Sequence, residues 1–343
     1  MPDDDVTALR RLTRSTEIGL HHLLVCLDRS EAAETVLPLA THLARTHDAR
    51  ITLLHVLEPP SDPGGLRATD ALAWEIVRRE TQAYLDSRAQ LIRDDGIHVE
   101  TCLAEGRAAP RVAALIGELE VDLLVLSACG EGGPNAWGLG DTARKILATA
   151  NGSVLVVPAH ERGRAPGVPP RRVLVPLDGC SRSECVLTTA LQVARADAAE
   201  VIVAHIVADP IRTELLSEPE DLALAHKVAD RLMARAIDYL DRQRHLLVAG
   251  GARASVAIAR ADDHRQGLIA LARAHRADLI VMSAHGSVCN PRHRFGSVTA
   301  YVLAHSTVPV LMVQDLREAA TSATMDWQTR LPPRSVDAAI GGA

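Results

Sequence analysis

The sequence is poor in aromatic residues, which fill only 2% of its 343 positions. Single-stranded nucleic acids bind by stacking their bases on aromatic side chains, so this composition argues against that class of protein. A net charge of −6 and a pI near 6.2 argue equally against binding a nucleic-acid backbone, because that affinity comes from Lys and Arg. With 47% hydrophobic residues, the core must be built from aliphatic side chains.

Long apolar runs and paired cysteine motifs are also missing. No stretch approaches the roughly 18–20 apolar residues that cross a bilayer, and the charged first segment lacks the apolar region of a secretory signal. The six cysteines form no Cys-x2-Cys pair, and several lie inside apolar runs. We therefore expect a cytoplasmic protein with reduced, partly buried thiols and no membrane contact, with disulfide bridges as the alternative. The scattered histidines form no convincing ligand set, so we predict no metal site.

The chain repeats itself. The segment that begins at residue 21 matches the one that begins at residue 171, with Asp28 against Asp178 at an offset of 150. Further on, DLLVLSA matches DLIVMSA at an offset of 156. These matches predict a mobile tail over 1–19, a first domain over 20–158, a linker over 159–170, a second domain over 171–315 and a C-terminal tail over 316–343.

Each half alternates predicted strands and helices. The predicted strands are residues 22–28, 50–57, 98–104, 121–127, 153–157, 172–178, 200–207, 252–259, 278–283 and 308–313. Runs such as DLLVLSA are apolar at nearly every position, which is typical of parallel strands buried on both faces. The pattern predicts two tandem, doubly wound α/β domains of the flavodoxin or Rossmann type, each with a five-stranded parallel sheet.

Polar and glycine residues gather where the first and fourth strands of each half end. Asp28 and Asp178 close the first strands, and the fourth strand of the second half runs into a loop with Gly286, Gly296 and Ser297. Ligands of open α/β sheets bind at the carboxyl ends of the strands, and a glycine loop before a helix exposes backbone N–H groups to an anion. This arrangement predicts a phosphate site, with an ordinary strand–loop–helix turn as the alternative.

Both halves resemble the universal stress protein family, whose fold is a five-stranded parallel sheet with strand order 3-2-1-4-5 and helices on both faces. Its nucleotide-binding members carry Gly-x2-Gly-x9-Gly-Ser/Thr after the fourth strand. The second half reads Ser283-x2-Gly286-x9-Gly296-Ser297, with a serine at the first glycine. The resemblance covers 20–158 and 171–315. It implies the adenine nucleotide alpha hydrolase-like fold and ATP as the ligand, with Mg²⁺ left open.

The resemblance also implies which residues bind the nucleotide. Those near the base and ribose would be Pro176, Leu177, Asp178 and Ile206. Those along the ribose and phosphates would be Met282, Ser283, His285, Gly286, Gly296, Ser297, Val298 and Thr299. In the loop between the two glycines, Arg292, His293 and Arg294 are predicted to donate charge-assisted hydrogen bonds to phosphates, with a solvated basic loop as the alternative.

The first half keeps the glycine spacing but has a negative charge at the helix start. It reads Ser127-x2-Gly130-x9-Gly140-Asp141, so a carboxylate replaces the hydroxyl at the helix start and would repel phosphate. We predict a degenerate nucleotide site formed by the matching positions Leu27, Asp28, Val56, Ser127, Gly130, Gly140, Asp141 and Thr142. A metal ion that bridges Asp141 to a phosphate is the alternative.

Known catalytic signatures are missing from the sequence. It has no Gly-x4-Gly-Lys-Ser/Thr loop, no Gly-x-Ser-x-Gly elbow and no dinucleotide fingerprint after a first strand. The resemblance therefore predicts an ATP-binding stress or regulatory module with no catalytic residues and little or no turnover. A slow ATP hydrolase and a scaffold that acts only through protein contacts are the alternatives.

Each half ends in an apolar strand, SVLVVP or VPVLMVQ. An exposed edge of this kind invites aggregation unless it is covered or paired. In the family, the fifth strands of two domains commonly pair antiparallel, and the resemblance implies that the two halves of this chain do so. We predict that Val154, Val156, Val310 and Met312 lie in or beside an interdomain interface. Pairing of whole chains into a homodimer stays open.

Overall fold

The computed structural model describes residues 19–59, 71–130, 138–158, 169–208, 219–286 and 294–314. The predicted tails, apart from Gly19, and linker residues 159–168 lie outside the described residues, as do Arg292, His293 and Cys289.

The two repeats have the same order of elements. The first contains β1 (His22–Cys26), α1 (Glu31–Glu34), α2 (Leu37–His47), β2 (Arg50–Leu57), α3 (Ala71–Arg93), β3 (Val99–Glu105), α4 (Ala108–Glu118), β4 (Leu123–Ser127), α5 (Asp141–Thr149) and β5 (Ser153–Val157). The second contains β6 (Arg172–Pro176), α6 (Ser181–Glu184), α7 (Val186–Asp197), β7 (Glu200–Ala208), α8 (Pro219–Ala249), β8 (Arg253–Ala261), α9 (His264–Ala274), β9 (Leu279–Ser283), α10 (Ser297–His305) and β10 (Val310–Val313).

The strands of both repeats form one ten-stranded sheet in the order β3-β2-β1-β4-β5-β10-β9-β6-β7-β8. Each repeat is parallel with the order 3-2-1-4-5, which confirms the predicted fold. At the seam β5 pairs antiparallel with β10, with Val156 against Val310 and Val154 against Met312, which confirms the predicted interdomain pairing. A pseudo-two-fold axis therefore relates the repeats, and their carboxyl strand ends lie at opposite edges of the sheet.

Helices cover both faces of the sheet. On one face α2, α3, α7 and α8 pack over a core that includes Leu23, Leu53 and Leu240. On the other face α4, α5, α9 and α10 pack over a core that includes Leu124 and Val302. Strands β4, β5, β9 and β10 are buried at every residue, as their uninterrupted apolar runs predicted.

Helix α3 is buried along only part of its apolar face. Leu85 is fully buried, whereas Leu72 and Ile76 are 66% and 48% exposed. In α8 the same holds for Leu224 and Leu232. Both long helices therefore leave some apolar side chains in solvent.

Close contacts at the seam explain why one glycine is needed there. Gly138 has a φ of +76°, and a Cβ at this position would collide with the carbonyl oxygen of Ala304 in the other repeat. Just before β5 begins, the N–H of Gly152 donates to Oε1 of Gln314 across the seam at 2.7 Å. The repeats therefore meet through specific backbone contacts as well as through the strand pair.

Helices α2 and α7 also meet across the pseudo-two-fold axis, through buried polar side chains. Nε2 of His42 lies 2.7 Å from Oδ1 of Asp197. At an offset of 150, Gln192 matches His42 and Asp197 matches His47. Among the described residues, Oε1 of Gln192, Nε2 of His47 and Oδ2 of Asp197 are buried without a hydrogen-bond partner. The seam on this face is therefore polar.

The described cysteines agree with the expectation of reduced thiols. The five described cysteines, Cys26, Cys102, Cys129, Cys180 and Cys185, are free thiols. Burial raises the pKa of the Cys26 thiol to about 12, which disfavours the nucleophilic thiolate. No helix in the described part of the chain is both long and apolar enough to cross a bilayer.

We expect the free energy of unfolding to fall as the pH is lowered from about 7 to 5. Burial lowers the pKa of His22, His47 and His55 below the ordinary value of 6.5. As the pH falls through 6.5, these histidines take up protons in the unfolded chain but not in the folded chain. Their contribution to stability is therefore complete above that pH and is lost below it. Urea unfolding at pH 7.5, 6.5 and 5.5 measures this trend. His47→Gln should reduce its slope, and a stability that rises on acidification would contradict it.

Candidate functional site

Each repeat has a pocket at the carboxyl ends of its strands. The second-repeat pocket has a volume of about 620 Å³, and the first-repeat pocket about 530 Å³. The predicted residues that line the second pocket are Pro176, Leu177, Asp178, Ile206, Met282, Ser283, Gly286, Gly296, Ser297, Val298 and Thr299. All eight predicted first-half residues line the first pocket, namely Leu27, Asp28, Val56, Ser127, Gly130, Gly140, Asp141 and Thr142.

Each aspartate at a first-strand tip lies in a turn rather than in the strand. Strands β1 and β6 end at Cys26 and Pro176, two residues earlier than predicted. The strands end early because each carboxylate binds the backbone that follows. Oδ1 of Asp28 accepts from the N–H of Ser30 at 3.0 Å, and Oδ1 of Asp178 accepts from the N–H of Cys180 at 3.1 Å.

A histidine on the second strand of each repeat supports this turn. Nδ1–H of His55 donates to the carbonyl of Leu27 at 2.9 Å, and Nδ1–H of His205 donates to the carbonyl of Leu177 at 2.6 Å. Both histidines line their pockets. They fix the residue before each aspartate, so the pair forms a repeated support for the strand tip.

The glycine that follows each fourth strand lies directly against the aspartate of the first strand. A Cβ on Gly286 would collide with Oδ2 of Asp178, and a Cβ on Gly130 would collide with Oδ2 of Asp28. The glycine loop and the strand tip, which are about a hundred residues apart in sequence, are therefore in direct contact. This contact joins the two parts of the predicted site.

Ser283 replaces the first glycine of the family pattern without disturbing the loop. Its side chain is buried, and its hydroxyl donates to the carbonyl of His285 at 2.7 Å. The carbonyl of Ser283 in turn accepts from the hydroxyl of Thr299 at 3.0 Å. Thr299 was expected to offer its hydroxyl to a phosphate. The structure shows that this hydroxyl is used inside the protein instead.

The second glycine opens helix α10. The N–H of Gly296 closes the loop by donating to the carbonyl of Ala284 at 2.8 Å, and the first helical bond runs from Ala300 to Gly296 at 2.9 Å. Gly296 is the N-cap and supplies no side-chain hydrogen bond. The N–H groups of the first turn, from Ser297 onwards, therefore have no partner within the helix, which is the usual anion-binding arrangement.

Two residues predicted to contact phosphates do not line the second pocket. The guanidinium of Arg294 donates to Oδ1 of Asn151 in the first repeat, so it contributes to the seam instead. His285 is half-buried and contributes its carbonyl to the bond with Ser283. Arg292 lies outside the described residues.

The first pocket is lined by three carboxylates. They belong to Asp28, Glu58 and Asp141, and none of the described residues that line this pocket is a Lys or Arg. Oε1 of Glu58 accepts from the N–H of Ala108 at 2.6 Å and so caps helix α4. Asp141 is 71% exposed, and its Oδ1 lies 3.6 Å from a guanidinium nitrogen of Arg144. An anionic ligand would meet repulsion in this pocket.

The charged side chains that line the second pocket balance each other. Asp178 is its one carboxylate and Arg235 its one guanidinium among the described lining residues. Ala208 lies where the first repeat has Glu58, His264 where it has Ala108, and Ser297 where it has Asp141. The exchange of these side chains makes the second pocket the better site for an anion.

Several lining residues of the second pocket were not predicted. Those on helices α8 and α9 are Leu232, Arg235, Ala236, Tyr239, His264 and Leu268. His205 on β7 also lines this pocket. Its repetition as LLHV and VAHI was the available signal for a role at the site. No comparable motif marks the residues on α8.

The fold and the two pockets define a tandem pair of doubly wound α/β domains, each with a crevice for a small ligand. The chain belongs to the universal stress protein family, because the family model matches residues 19–158 and 170–314.

Known relatives and structures agree with this assignment. A universal stress protein from Mycolicibacterium smegmatis is 26% identical over 310 residues, which cover 88% of this chain and 98% of that protein. The crystal structure of a universal stress protein from Archaeoglobus fulgidus covers 85% of this chain and 98% of its own, with a TM-score of 0.59 and 20% identity. A functionally unknown protein from Pseudomonas aeruginosa gives a TM-score of 0.61 at 15% identity, with 89% and 96% of the chains covered. These structures support the fold alone.

Proposed function

We propose that the second pocket binds an adenine nucleotide, with ATP as its ligand, and that the protein is a nucleotide-responsive stress or regulatory module. The observation that carries this proposal is the open helix start at Ser297 in the same pocket as the carboxylate of Asp178. The helix start attracts phosphate groups, and a carboxylate accepts hydrogen bonds from the hydroxyls of a ribose.

The apolar part of the pocket would hold the adenine ring. Leu177, Ile206 and Met282 line it, and each is buried. Ligand sites combine such apolar walls with a few placed polar groups. Across the described part of the chain, no group of three His, Cys, Asp or Glu could hold a metal ion, so Mg²⁺ would be carried by the phosphates themselves.

Little or no turnover is expected from the groups that surround the helix start. Rapid hydrolysis needs a residue that orients the attacking water. Oδ1 of Asp178 already accepts from the N–H of Cys180, and Nδ1 of His205 is engaged by the carbonyl of Leu177. Linear release of phosphate over many turnovers per chain would establish a slow ATP hydrolase instead.

The first pocket is proposed to be a degenerate site. Its three carboxylates would repel phosphates, and the hydroxyl of Ser297 has no counterpart there. The proposal places the protein in the cytosol, where free thiols persist. A homodimer of whole chains remains an expectation, since the seam already pairs β5 with β10 inside one chain.

Mass spectrometry of small molecules released from freshly purified protein tests the proposal. We expect an adenine nucleotide from the wild type and little from Gly286→Leu, whose side chain would collide with Asp178. Gly130→Leu is the matched control, because it makes the same collision with Asp28 in the first repeat and should leave the nucleotide bound. A folded wild type that neither releases nor binds any adenine nucleotide would favour the scaffold alternative.

A further inference from the structure

The long helices α3 and α8 can be aligned because each makes the same tyrosine–glutamate hydrogen bond within its own repeat. The hydroxyl of Tyr84 donates to Oε1 of Glu34 at 3.0 Å, and the hydroxyl of Tyr239 donates to Oε1 of Glu184 at 3.0 Å. One helical turn before each tyrosine stand Glu80 in α3 and Arg235 in α8. The charge at this position is therefore reversed between the repeats.

In the first repeat the charge of Glu80 is met by a cation on the strand-tip loop. A guanidinium nitrogen of Arg29 lies 3.9 Å from Oε2 of Glu80, and another donates to the hydroxyl of Thr81 at 3.4 Å. This contact joins the loop after β1 to helix α3. Among the described residues, none from α3 lines the first pocket.

In the second repeat both members of this pair are replaced. Gly179 occupies the position of Arg29, and apart from its chain neighbours no described residue has an atom within 4 Å of the place that its Cβ would take. Helix α8 therefore reaches the pocket, which it lines with Leu232, Arg235, Ala236 and Tyr239. Arg235 is exposed and has no ion pair or hydrogen bond to any described residue.

Arg235 and the helix start of α10 approach the pocket from different faces of the sheet. Helix α8 packs on the face that contains Leu240, and α10 packs on the face that contains Val302. A ligand at the strand tips would thus lie between a guanidinium on one side and backbone N–H groups on the other. An anionic ligand is attracted from both sides, whereas a neutral ligand gains nothing from Arg235.

We propose that Arg235 is a specificity-determining residue of the second pocket, which favours nucleotides according to the negative charge of their phosphates. The inference rests on the proposed function, since it assigns a charge preference to the same pocket. In the first repeat the matching position holds Glu80, which lies against Arg29 and does not line the pocket. The two repeats therefore differ at the helix wall as well as at the helix start.

Calorimetric titration with ATP, ADP, AMP and adenosine tests this role in the full chain. Arg235→Glu copies the first repeat and should weaken ATP binding roughly tenfold, AMP binding less, and adenosine binding less than about twofold. Arg235→Lys keeps the charge on an exposed position and should retain most of the affinity. Arg242→Glu is the matched control, because Arg242 is exposed on the same helix and does not line the pocket.

The outcomes separate this inference from the proposed function. An equal loss for adenosine and ATP, an unchanged ATP affinity in Arg235→Glu, or an equal loss in Arg242→Glu would overturn the inference while leaving nucleotide binding in place. A wild type that binds none of the four ligands would overturn both. A graded loss that diminishes at high salt supports the role of Arg235, because screening weakens charge attraction at an exposed site.

Discussion

Ser297→Asp should weaken ATP binding by roughly tenfold to a hundredfold, which corresponds to about 1–3 kcal/mol. The substitution removes a hydroxyl at the first turn of α10 and places a carboxylate where the phosphates are proposed to lie, as Asp141 does in the first repeat. Adenosine lacks phosphates and should be affected much less. Titration calorimetry with both ligands measures the difference.

Asp141→Ser is the matched control for this experiment. It removes the carboxylate from the first pocket and leaves the second pocket unaltered. The affinity of the second site for ATP should therefore not change. Unchanged ATP binding in a folded Ser297→Asp variant would mean that the phosphates do not lie at Gly296 and Ser297.

Val156→Asp combined with Val310→Asp should separate the two repeats while each sheet stays folded. Val156 and Val310 face each other across the antiparallel seam and are 2% and 1% exposed. A buried charge without a partner costs about 3–5 kcal/mol, and two carboxylates in register also repel. We expect a larger radius of gyration in X-ray scattering and faster proteolysis between the repeats.

Val156→Asp with Val310→Lys tests whether charge repulsion is the cause. This pair places opposite charges in the same register and should recover part of the lost association. If both double variants keep the radius of gyration of the wild type, β5 and β10 do not hold the repeats together in solution.

The fold could be predicted from the sequence because its signals are local and occur twice. The apolar runs of β4 and β9 require burial on both faces, and the offset between the repeats marks equivalent strands. The seam was predictable for a different reason. Each repeat ends in an apolar edge strand that needs a partner strand, and β5 and β10 pair with each other.

The helix wall of the pocket could not be predicted from the sequence. The offset between the repeats changes from 150 at Asp28 to 156 at Asp122, and the change falls within the segment that contains α3 and α8. These helices have 23 and 31 residues, so the correspondence of Glu80 with Arg235 appears only through the tyrosine–glutamate bonds. The contact of His42 with Asp197 could not be predicted either, because it joins residues of different repeats across the pseudo-two-fold axis.

Two residues of the predicted site make side-chain contacts that the sequence did not indicate. Thr299 does line the pocket, yet its hydroxyl is bonded to the carbonyl of Ser283. Arg294 lies beside the glycine loop in sequence, yet it binds Asn151 of the other repeat. A motif gives the order of residues along a loop. The direction of each side chain depends on which acceptor is nearest after the domains have packed.

The number of ATP molecules bound by one full-length chain tests the central claim most directly. Titration calorimetry on the wild type should give close to one site, and that site should be lost in Gly286→Leu and retained in Gly130→Leu. Two equal sites, or one site that is lost in Gly130→Leu but not in Gly286→Leu, would contradict the assignment of nucleotide binding to the second repeat.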